Sequence, residues 1–548
     1  MNFAHSPEWW RGAALYQIYP RSFADSNGDG IGDLPGISAH LDYVSSLGVD
    51  GLWLSPFFPS PMRDFGYDVS DHCGVDPMFG TLADFDVLLA AAHARGLKVV
   101  IDQVWSHTAL EHPWFLESRE DRHNARADWY VWAEAKPDGS APNNWQSWMG
   151  GPAWTWEPRR GQYYLHNFLR EMPDLNFHCP AVQEAILAVA RFWLDRGVDG
   201  FRLDTANYYF HNRALPDNPA QTPARRGDSP VMMMRHIHNI CQPENIAFLE
   251  KLRSVLDAYP GRMTVAEIGS ADDNLARMIE YTRGHNRLHT AYSFQLLNER
   301  HDPDFIVENM APWQEGDGAA AWPSWAFSNH DTPRVASRWG GPNADPASSQ
   351  LWLTLLACLR GTIFLFQGEE LGLPQADIAL ADMQDPFGKA NWPRNKGRDG
   401  CRTPMPWSAG LPGAGFTTGH PWLPIAPAHR PLAVDRQEAE AASSLQLTRR
   451  LLALRHAHPA LRWGSFEPLI TNESVLYVRR QHGEDVVLVA FNFGNISCRL
   501  ELDPVATAWH PALQLRDALV VSGSLNLGPR SAWIGTRSVQ VPSLSPLA

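Results

Sequence analysis

The chain has 548 residues, a formal net charge of −14, 44% hydrophobic and 11% aromatic content. That is long enough for several domains or one large barrel with additions, and apolar enough for a sizeable core. The acidic balance, without a basic stripe, argues against nucleic acid or an anionic membrane as partner.

No apolar run approaches the ~18 residues of a transmembrane helix. The N-terminus "MNFAHSPEWWRGAALYQIYP" lacks a basic segment followed by an apolar one, so no signal peptide is expected. Six cysteines (Cys73, Cys179, Cys241, Cys358, Cys401, Cys498) are scattered singly. That usage suits a reducing, cytoplasmic compartment. Tryptophan is abundant at 23 residues, as a large aromatic core or as stacking surfaces for the flat faces of sugar rings.

The first predicted strand is "ALYQIYP", and the loop after it contains "DSNGDGIGDLPG", Asp25 to Gly36. Asp25, Asn27 and Asp29 alternate, Gly30 follows and Asp33 lies beyond, as in the calcium loop of an EF-hand. Position 12 is Gly36 instead of a bidentate Glu, and a strand precedes the loop where an EF-hand needs a helix. Two readings stay open. One is a run of turn residues. The other is a hard-cation site completed by the backbone carbonyl of Ile31.

An amphipathic helix is predicted next, with Ile37, Leu41, Val44 and Leu47 on one face. It leads into the strand "GVDGLWLSPF". The same rhythm recurs: "DFDVLLAAAHAR" into "GLKVVIDQVW", "VQEAILAVARFWLDR" into "GVDGFRLDT", "NIAFLEKLRSVLDAYPG" into "RMTVAEIG", and "SQLWLTLLACLR" into "GTIFLFQGEE". With "TAYSF" and "SWAFSNHD" this makes about eight apolar strands alternating with helices. The fold class is therefore α/β, a (β/α)8 TIM barrel.

Two regions break the rhythm. Residues 108–177 are too long for an ordinary loop and carry seven tryptophans (Trp114, Trp129, Trp132, Trp145, Trp148, Trp154, Trp156). They read as an inserted subdomain after strand three. After "LTRRLLALRHAHPALR" come short alternating strands, "SVLYVRRQ", "DVVLVAFNF" and "SCRLELD". They predict a C-terminal antiparallel β-sandwich domain. The barrel then takes residues 1–107 and 178–462, the insertion 108–177 and the β domain 463–548. Residues 371–447, rich in Pro, Gly and Asp, read as a long eighth loop.

Catalytic groups of such barrels sit at the carboxyl ends of strands. Here the ends carry Asp102 and His107, Arg202 and Asp204, Glu267, and His330 and Asp331. One charged strand end can simply meet solvent; carboxylates on four strands facing one way point to chemistry. Glycoside cleavage needs a carboxylate nucleophile and a carboxyl group that gives and then takes a proton, with no metal or cofactor. Arg202 precedes Asp204 by two residues, so both face the same side. Glu267 stands among Val265, Ala266 and Ile268, a setting for a buried general acid.

"YQIYPRSFADSNGDGIGDL", "GFRLDT", "SNHD", "QGEELG" and "RTPMPW" occur in the order found in glycoside hydrolase family 13, the α-amylase family. The chain resembles its α-glucosidase and oligo-1,6-glucosidase group along essentially its whole length. The resemblance implies that Asp204 is the nucleophile, Glu267 the acid/base and Asp331 the transition-state stabiliser. It implies that His107, Arg202 and His330 bind the glucosyl ring. Anomeric configuration is then retained, with the Asp204 and Glu267 carboxyls about 5–5.5 Å apart. In "RDFGYD" it assigns Asp64 and Tyr67 to close the non-reducing end, paired with an Arg across the pocket, Arg398, with Arg402 as second choice. Phe168 matches an aromatic at the pocket edge, or else packs in the core. Glu369 and Glu370 read as salt-bridge partners, and "VMMMRHIHNI" as packing or else as lining of the acceptor subsite. Relatives carry a structural Ca2+ or Mg2+ in the first loop, which implies Asp25, Asn27, Asp29, Ile31 and Asp33 as ligands here.

Two departures matter. The family's Asn-His is here Ser106-His107, which argues against the calcium found between barrel and insertion in α-amylases. Thr205 follows the nucleophile, where Val goes with α-1,6 and smaller or polar residues with α-1,4 cleavage. The expectation is an exo-acting α-glucosidase for maltose-like sugars, with glucosyl transfer to acceptor hydroxyls. Rivals are a sucrose-acting or trehalose-forming enzyme of the family, and the non-catalytic heavy chains of amino-acid transporters.

Overall fold

In a computed structural model, describing residues 8–222, 229–269, 272–341, 346–501, 509–521 and 523–537, strands β1 (Ala14–Ile18), β2 (Gly51–Leu54) and β3 (Lys98–Gln103) start a parallel sheet. The insertion contributes β4 (Trp132–Ala133), β5 (Trp154–Glu157) and β6 (Gln162–Leu165) as a small antiparallel sheet. The parallel sheet resumes with β7 (Gly200–Leu203), β8 (Met263–Ile268), β9 (Thr290–Ser293), β10 (Ser324–Ala326) and β11 (Thr362–Phe366). Its eight strands run in the order β10-β11-β1-β2-β3-β7-β8-β9. A parallel bridge from Ala291 to Pro323 closes the ring.

The barrel strands are apolar on both faces, because one face meets helices and the other fills the interior. Tyr16, Leu52, Val99, Ile101, Phe201 and Leu203 point outward into the main core. Leu15, Trp53, Val100, Val265, Tyr292 and Phe364 point inward and plug the barrel. Side chains alternate with period two. The next inward positions are therefore Gln17, Asp102 and Glu267, two residues beyond Leu15, Val100 and Val265. The polar floor of the site is thus a continuation of the core-facing register.

The helices form for local reasons. Pro180–Arg196 has Pro at its first position and ends at Gly197, whose φ of +105° suits a C-terminal stop. It buries Val182, Ile186, Ala190 and Trp193 at helical spacing. Leu82–Ala94 opens with a reciprocal capping box between Thr81 and Asp84. The helix expected across Ile37–Leu47 is instead two short ones, Leu34–Ala39 and Leu41–Ser46, broken at His40, whose ring bonds Gly36 O at 2.8 Å. Its four apolar positions are all buried, as expected.

After the helix Ser444–Ala457 come β12 (Glu467–Thr471), β13 (Val475–His482), β14 (Asp485–Asn492), β15 (Cys498–Glu501), β16 (Trp509–Leu515), β17 (Ala518–Val521), β18 (Ser524–Leu527) and β19 (Ser531–Arg537). They make two antiparallel sheets, β12-β13-β14-β19-β16 and β15-β18-β17. Val475, Tyr477, Leu488, Ala490 and Trp533 face the second sheet. Their neighbours Leu476, Val478, Val487, Val489 and Ile534 join the main core. This domain therefore packs on the barrel side as well as on itself.

The tryptophans are mostly core. Trp53, Trp105, Trp145, Trp193, Trp313, Trp352 and Trp533 are fully buried. Of the seven in the insertion only Trp148 lines the large cavity at the barrel mouth. Residues 371–447 hold short helices instead of a bare loop, and they carry Arg398 and Arg402 to the site.

Candidate active site

Arg202 is the hub. Its inward position on β7 puts a fully buried guanidinium on the barrel axis. Nη1 donates to Asp102 Oδ1 at 2.8 Å and to Asp204 Oδ1 at 2.5 Å. Nη2 lies 2.5 Å from Glu267 Oε2 and donates to Tyr292 Oη at 3.0 Å. A planar fork is what holds so many acceptors at fixed angles. Asp204 and Glu267 thus sit on the two terminal nitrogens of one side chain. Asp102 is braced further by Trp53 Nε1 at 3.2 Å and Tyr67 Oη at 3.1 Å.

Burial raises the pKa of Glu267, opposed by Arg202 and reinforced by the negative charges of Asp204, Asp331 and Asp102. Tyr292 Oη donates to Glu267 Oε1 at 3.2 Å. A carboxyl that stays protonated beside an ion-paired carboxylate is the division of labour a proton donor and a nucleophile require.

Asp331 follows β10. Arg402 Nη2 donates to Asp331 Oδ1 at 3.0 Å, Arg398 Nη1 to the same oxygen at 3.3 Å, and His330 Nε2 lies 3.1 Å from Oδ2. Against the cost of burial, these partners hold the Asp331 carboxyl well below the usual carboxylate range. Burial pushes His330 down to about 3, so its ring is neutral near pH 7. Gln17 Nε2 contacts His330 Nδ1 at 2.9 Å, and the Tyr67 ring stacks on it, centroids 5.0 Å apart and planes 1° apart.

The "RDFGYD" loop bends through positive φ at Met62, Phe65 and Gly66 (62°, 51° and 108°). That turn presents Asp64 and Tyr67 to the cavity. Arg398 Nη2 pairs with Asp64 Oδ1, so Arg398, and not Arg402, is the residue across the pocket. Arg398 is itself clamped by buried Asp385, through Nε–Oδ2 at 3.2 Å and Nη2–Oδ1 at 2.8 Å.

Ser106 Oγ bonds His107 Nδ1 and Thr205 Oγ1, both at 2.8 Å, and His107 Nε2 contacts Tyr67 O at 3.0 Å. Thr205 has φ +42°, a strained value for a β-branched residue. Its hydroxyl donates to Asp204 Oδ2 at 3.2 Å. Phe168 is half-buried and lines the cavity, its ring 5.4 Å from that of His107. The cavity measures about 490 Å³ and gathers Asp64, Tyr67, His107, Phe168, Asp204, Thr205, Glu267, Asp331 and Arg398. Arg202 and His330 stand behind that wall, fully buried.

One expectation needs correction. Among the described residues Glu369 and Glu370 form no ion pair. Glu370 Oε1 accepts from Tyr16 Oη and Tyr43 Oη at 2.7 Å each, Glu369 Oε2 accepts from Phe366 N at 3.1 Å, and burial pushes Glu369 up to about 8. Of the two readings of "VMMMRHIHNI", lining holds for Met232, which is 49% exposed and borders the cavity.

The sequence reading missed Asp385 and Tyr292, offered Arg402 only as second choice for the partner of Asp64, and gave Asp102 no role of its own. Period two along β3 points Asp102 inward with Val100, a signal that was available. Asp385 and Arg402 reach the site from an irregular segment, where no periodicity announces direction.

The first loop turns through Gly28 and Gly30 at φ +86° and +91°. Asp25 Oδ2 accepts from Gly30 N at 2.8 Å, Asn27 Oδ1 from Asp29 N at 2.9 Å, and Asp29 Oδ1 from Ile31 N at 2.8 Å. Asp33 caps the helix Leu34–Ala39 through Gly36 N at 2.7 Å and holds Ser26 with its other oxygen. Among the described residues no three Asp, Glu, His or Cys side chains converge as a metal cluster. The backbone fits an EF-hand-like loop, with its sixth-position glycine; Asp33 already has a cap to serve.

A parallel barrel that gathers a buried proton donor, an Arg-paired carboxylate and a third carboxylate around a sugar-sized cavity is a glycoside-cleaving enzyme. The chain belongs to the α-amylase family, whose catalytic-domain model matches residues 17–464. It is 52% identical over 503 residues to a probable α-glucosidase of Rhizobium meliloti (strain 1021), covering 90% of this chain and 91% of that one. It is 36% identical over 526 residues to an oligo-1,6-glucosidase of Halalkalibacterium halodurans, covering 90% and 92%. Among solved structures, the α-glucosyl transfer enzyme XgtA superposes with a TM-score of 0.92 at 53% identity, covering 97% of this chain and 99% of that one. The trehalulose synthase MutB of Pseudomonas mesoacidophila MX-45 follows a similar course, with TM-score 0.86, 32% identity and 96% and 99% coverage.

Proposed function

We propose that the protein is a retaining, exo-acting α-glucosidase that removes the terminal α-1,4-linked glucosyl unit of maltose-like sugars and also transfers it to acceptor hydroxyls. The observation that carries this reading is the Arg202 fork, which presents Asp204 and Glu267 to one cavity closed at its far side by the Asp64–Arg398 pair. Asp204 attacks the anomeric carbon, and the glycosidic C–O bond breaks as Glu267 gives its proton to the leaving oxygen. Water or an acceptor hydroxyl then attacks the glucosyl–Asp204 ester, with Glu267 taking the proton back. Asp331, held ionised by Arg398 and Arg402, stabilises the positive charge that develops on the ring. The Asp64–Arg398 pair bridges one side of the cavity wall, which supports exo action.

The anomeric form of the glucose first released from an aryl α-glucoside, whose leaving group is not a sugar, tests this. Newly formed α-glucose is expected; β-glucose as the initial product would overturn retention. Glucose release compared on maltose, isomaltose, sucrose and trehalose separates this reading from a sucrose-acting or trehalose-forming one. The transporter-chain reading is disfavoured by the intact carboxylates and by the absence, among the described residues, of any helix long and apolar enough to cross a membrane.

Thr205 supports α-1,4 preference. Thr205→Val removes the hydroxyl that touches Asp204 and Ser106 while keeping the branched shape. The ratio of maltose to isomaltose cleavage is expected to fall severalfold; an unchanged ratio would refute the assignment.

The first loop is read as a clip for Ca2+ or Mg2+, with Asp25, Asn27, Asp29 and the Ile31 carbonyl as ligands and Asp33 sharing its carboxylate with the helix cap. Such an ion would stiffen the loop and supply no chemistry. Adding chelator is expected to lower Tm by several degrees while turnover of the folded enzyme changes less than twofold. Loss of turnover at unchanged Tm would place the ion in the mechanism. A cytoplasmic location is supported by six cysteines that are all free.

A further inference from the structure

The β7–β8 ladder ends at the pair Leu203–Ala266, one residue short of Asp204 and Glu267. On the side where the two reacting residues face each other the ladder is therefore open, while Asp204 N still donates to Gln103 O at 3.0 Å and Glu267 stays paired with Tyr292 of β9. The chain leaving β7 is also under strain, since Thr205 sits at φ +42°. Strain of this kind persists only where the surroundings over-determine the backbone.

Three hooks from residues 205–207 supply that determination. Thr205 N donates to Glu267 Oε2 at 3.3 Å, and Ala206 N to Glu267 O at 3.1 Å. Asn207 does most. Its Nδ2 donates to Gly269 O at 2.7 Å, and its Oδ1 accepts from Gly269 N at 3.2 Å. The carboxamide thus pairs with both polar groups of one residue, as a neighbouring strand would, and extends the ladder past the catalytic level. Asn207 is in turn fixed from behind. Its carbonyl accepts from Cys241 N at 2.7 Å, and Nδ2 reaches Cys241 Sγ at 3.3 Å. Cys241 itself has φ +56°. Asn207 is fully buried and does not line the cavity, so it cannot touch substrate.

We infer that Asn207 is a positioning residue for the acid/base: its side chain clamps Gly269 and thereby sets the height and angle at which the Glu267 carboxyl meets the leaving oxygen. A mere core asparagine would support both steps of the reaction alike. In the first step, read separately from the base-assisted second, a clamp on Glu267 would matter only when the leaving group needs a proton. The inference rests on Glu267 being the acid/base.

The test compares maltose, whose departing glucose needs protonation, with α-glucosyl fluoride, whose departing fluoride does not. Asn207→Ala is expected to lower kcat/KM on maltose, which reports the first step, by up to about 100-fold, the size of effect a misplacement near 1 Å produces. kcat/KM on α-glucosyl fluoride should stay within about threefold of wild type, and Glu267→Gln is read by the same ratio. Asn207→Asp keeps the shape and the acceptor but loses both donations from Nδ2. It provides the same comparison if the alanine variant folds poorly, with folding checked by Tm. Equal losses on the two substrates, or none on maltose, would overturn the clamp. Glu267→Gln is the control. If it does not spare α-glucosyl fluoride relative to maltose, the assignment of Glu267 itself fails, which is a different result from failure at Asn207.

Discussion

Asp204→Asn is expected to lower kcat on maltose by on the order of 10⁴-fold, the scale on which loss of a covalent catalyst is felt, with the fold intact. The amide keeps the volume of the carboxylate and can still meet Thr205 Oγ1, but it cannot form the glucosyl ester. A small anion separates this residue's role from that of Glu267. With Asp204→Gly, azide can enter from the face the carboxylate vacated, and α-glucosyl fluoride plus azide should give β-glucosyl azide. With Glu267→Gly, the ester to Asp204 still forms and azide attacks it from the opposite face, giving α-glucosyl azide. The same azide anomer from both variants, or an Asp204→Asn enzyme as active as wild type, would remove Asp204 from the chemistry.

The second large effect belongs to Arg202→Lys. The guanidinium serves Asp102, Asp204, Glu267 and Tyr292 at once from two nitrogens. An ammonium is a single point of charge on a differently shaped stem and cannot meet all four. At least a 100-fold fall in kcat/KM is expected, since both reacting carboxylates lose their fixed partner. Stability should fall by about 3 kcal/mol, the lower end for breaking a buried ion pair.

The deficit should depend on pH with a definite sign. Arg202 opposes the upward pull of burial on Asp102 and Glu267. Without its fork their folded pKa values rise further above the unfolded values near 4. The variant's native state then keeps these protons to higher pH than wild type, in which Asp102 and Glu267 are pushed up to about 7 and about 8, so the gap in stability opens as pH rises through about 7. Denaturant unfolding at pH 5 and pH 8 should show the gap to wild type widening at pH 8. A gap equal at both values would mean that the loss is one of packing alone.

Much of this was legible beforehand because two periodicities carry it. Continuous apolar strands alternating with amphipathic helices announce a parallel barrel, and period two along a strand says which residues look inward together. Arg202 and Asp204 share a side for that reason, and so do Val265 and Glu267. The C-terminal strands Val475–His482 and Asp485–Asn492 show the same alternation and were expected. Strands β16 and β19 were not, because Pro511 and Gly535 interrupt the pattern that would have marked them. The tryptophans misled in part: composition counts aromatic rings without saying which way they face.

The amino-acid sequence by itself determined the barrel, the three carboxylates at its mouth and the family, since these depend on short-range pattern and on motifs read in order. Only the tertiary structure decided that Arg398 and not Arg402 meets Asp64, that Asp385 braces it, and that the Asn207 side chain pairs with Gly269 beyond the end of the β7–β8 ladder. It also turned Glu369 and Glu370 from salt-bridge partners into buried, hydrogen-bonded carboxyls. Those outcomes depend on contacts between segments up to 354 positions apart, brought together by closing a ring, and no local propensity encodes which partner a charged side chain will find there.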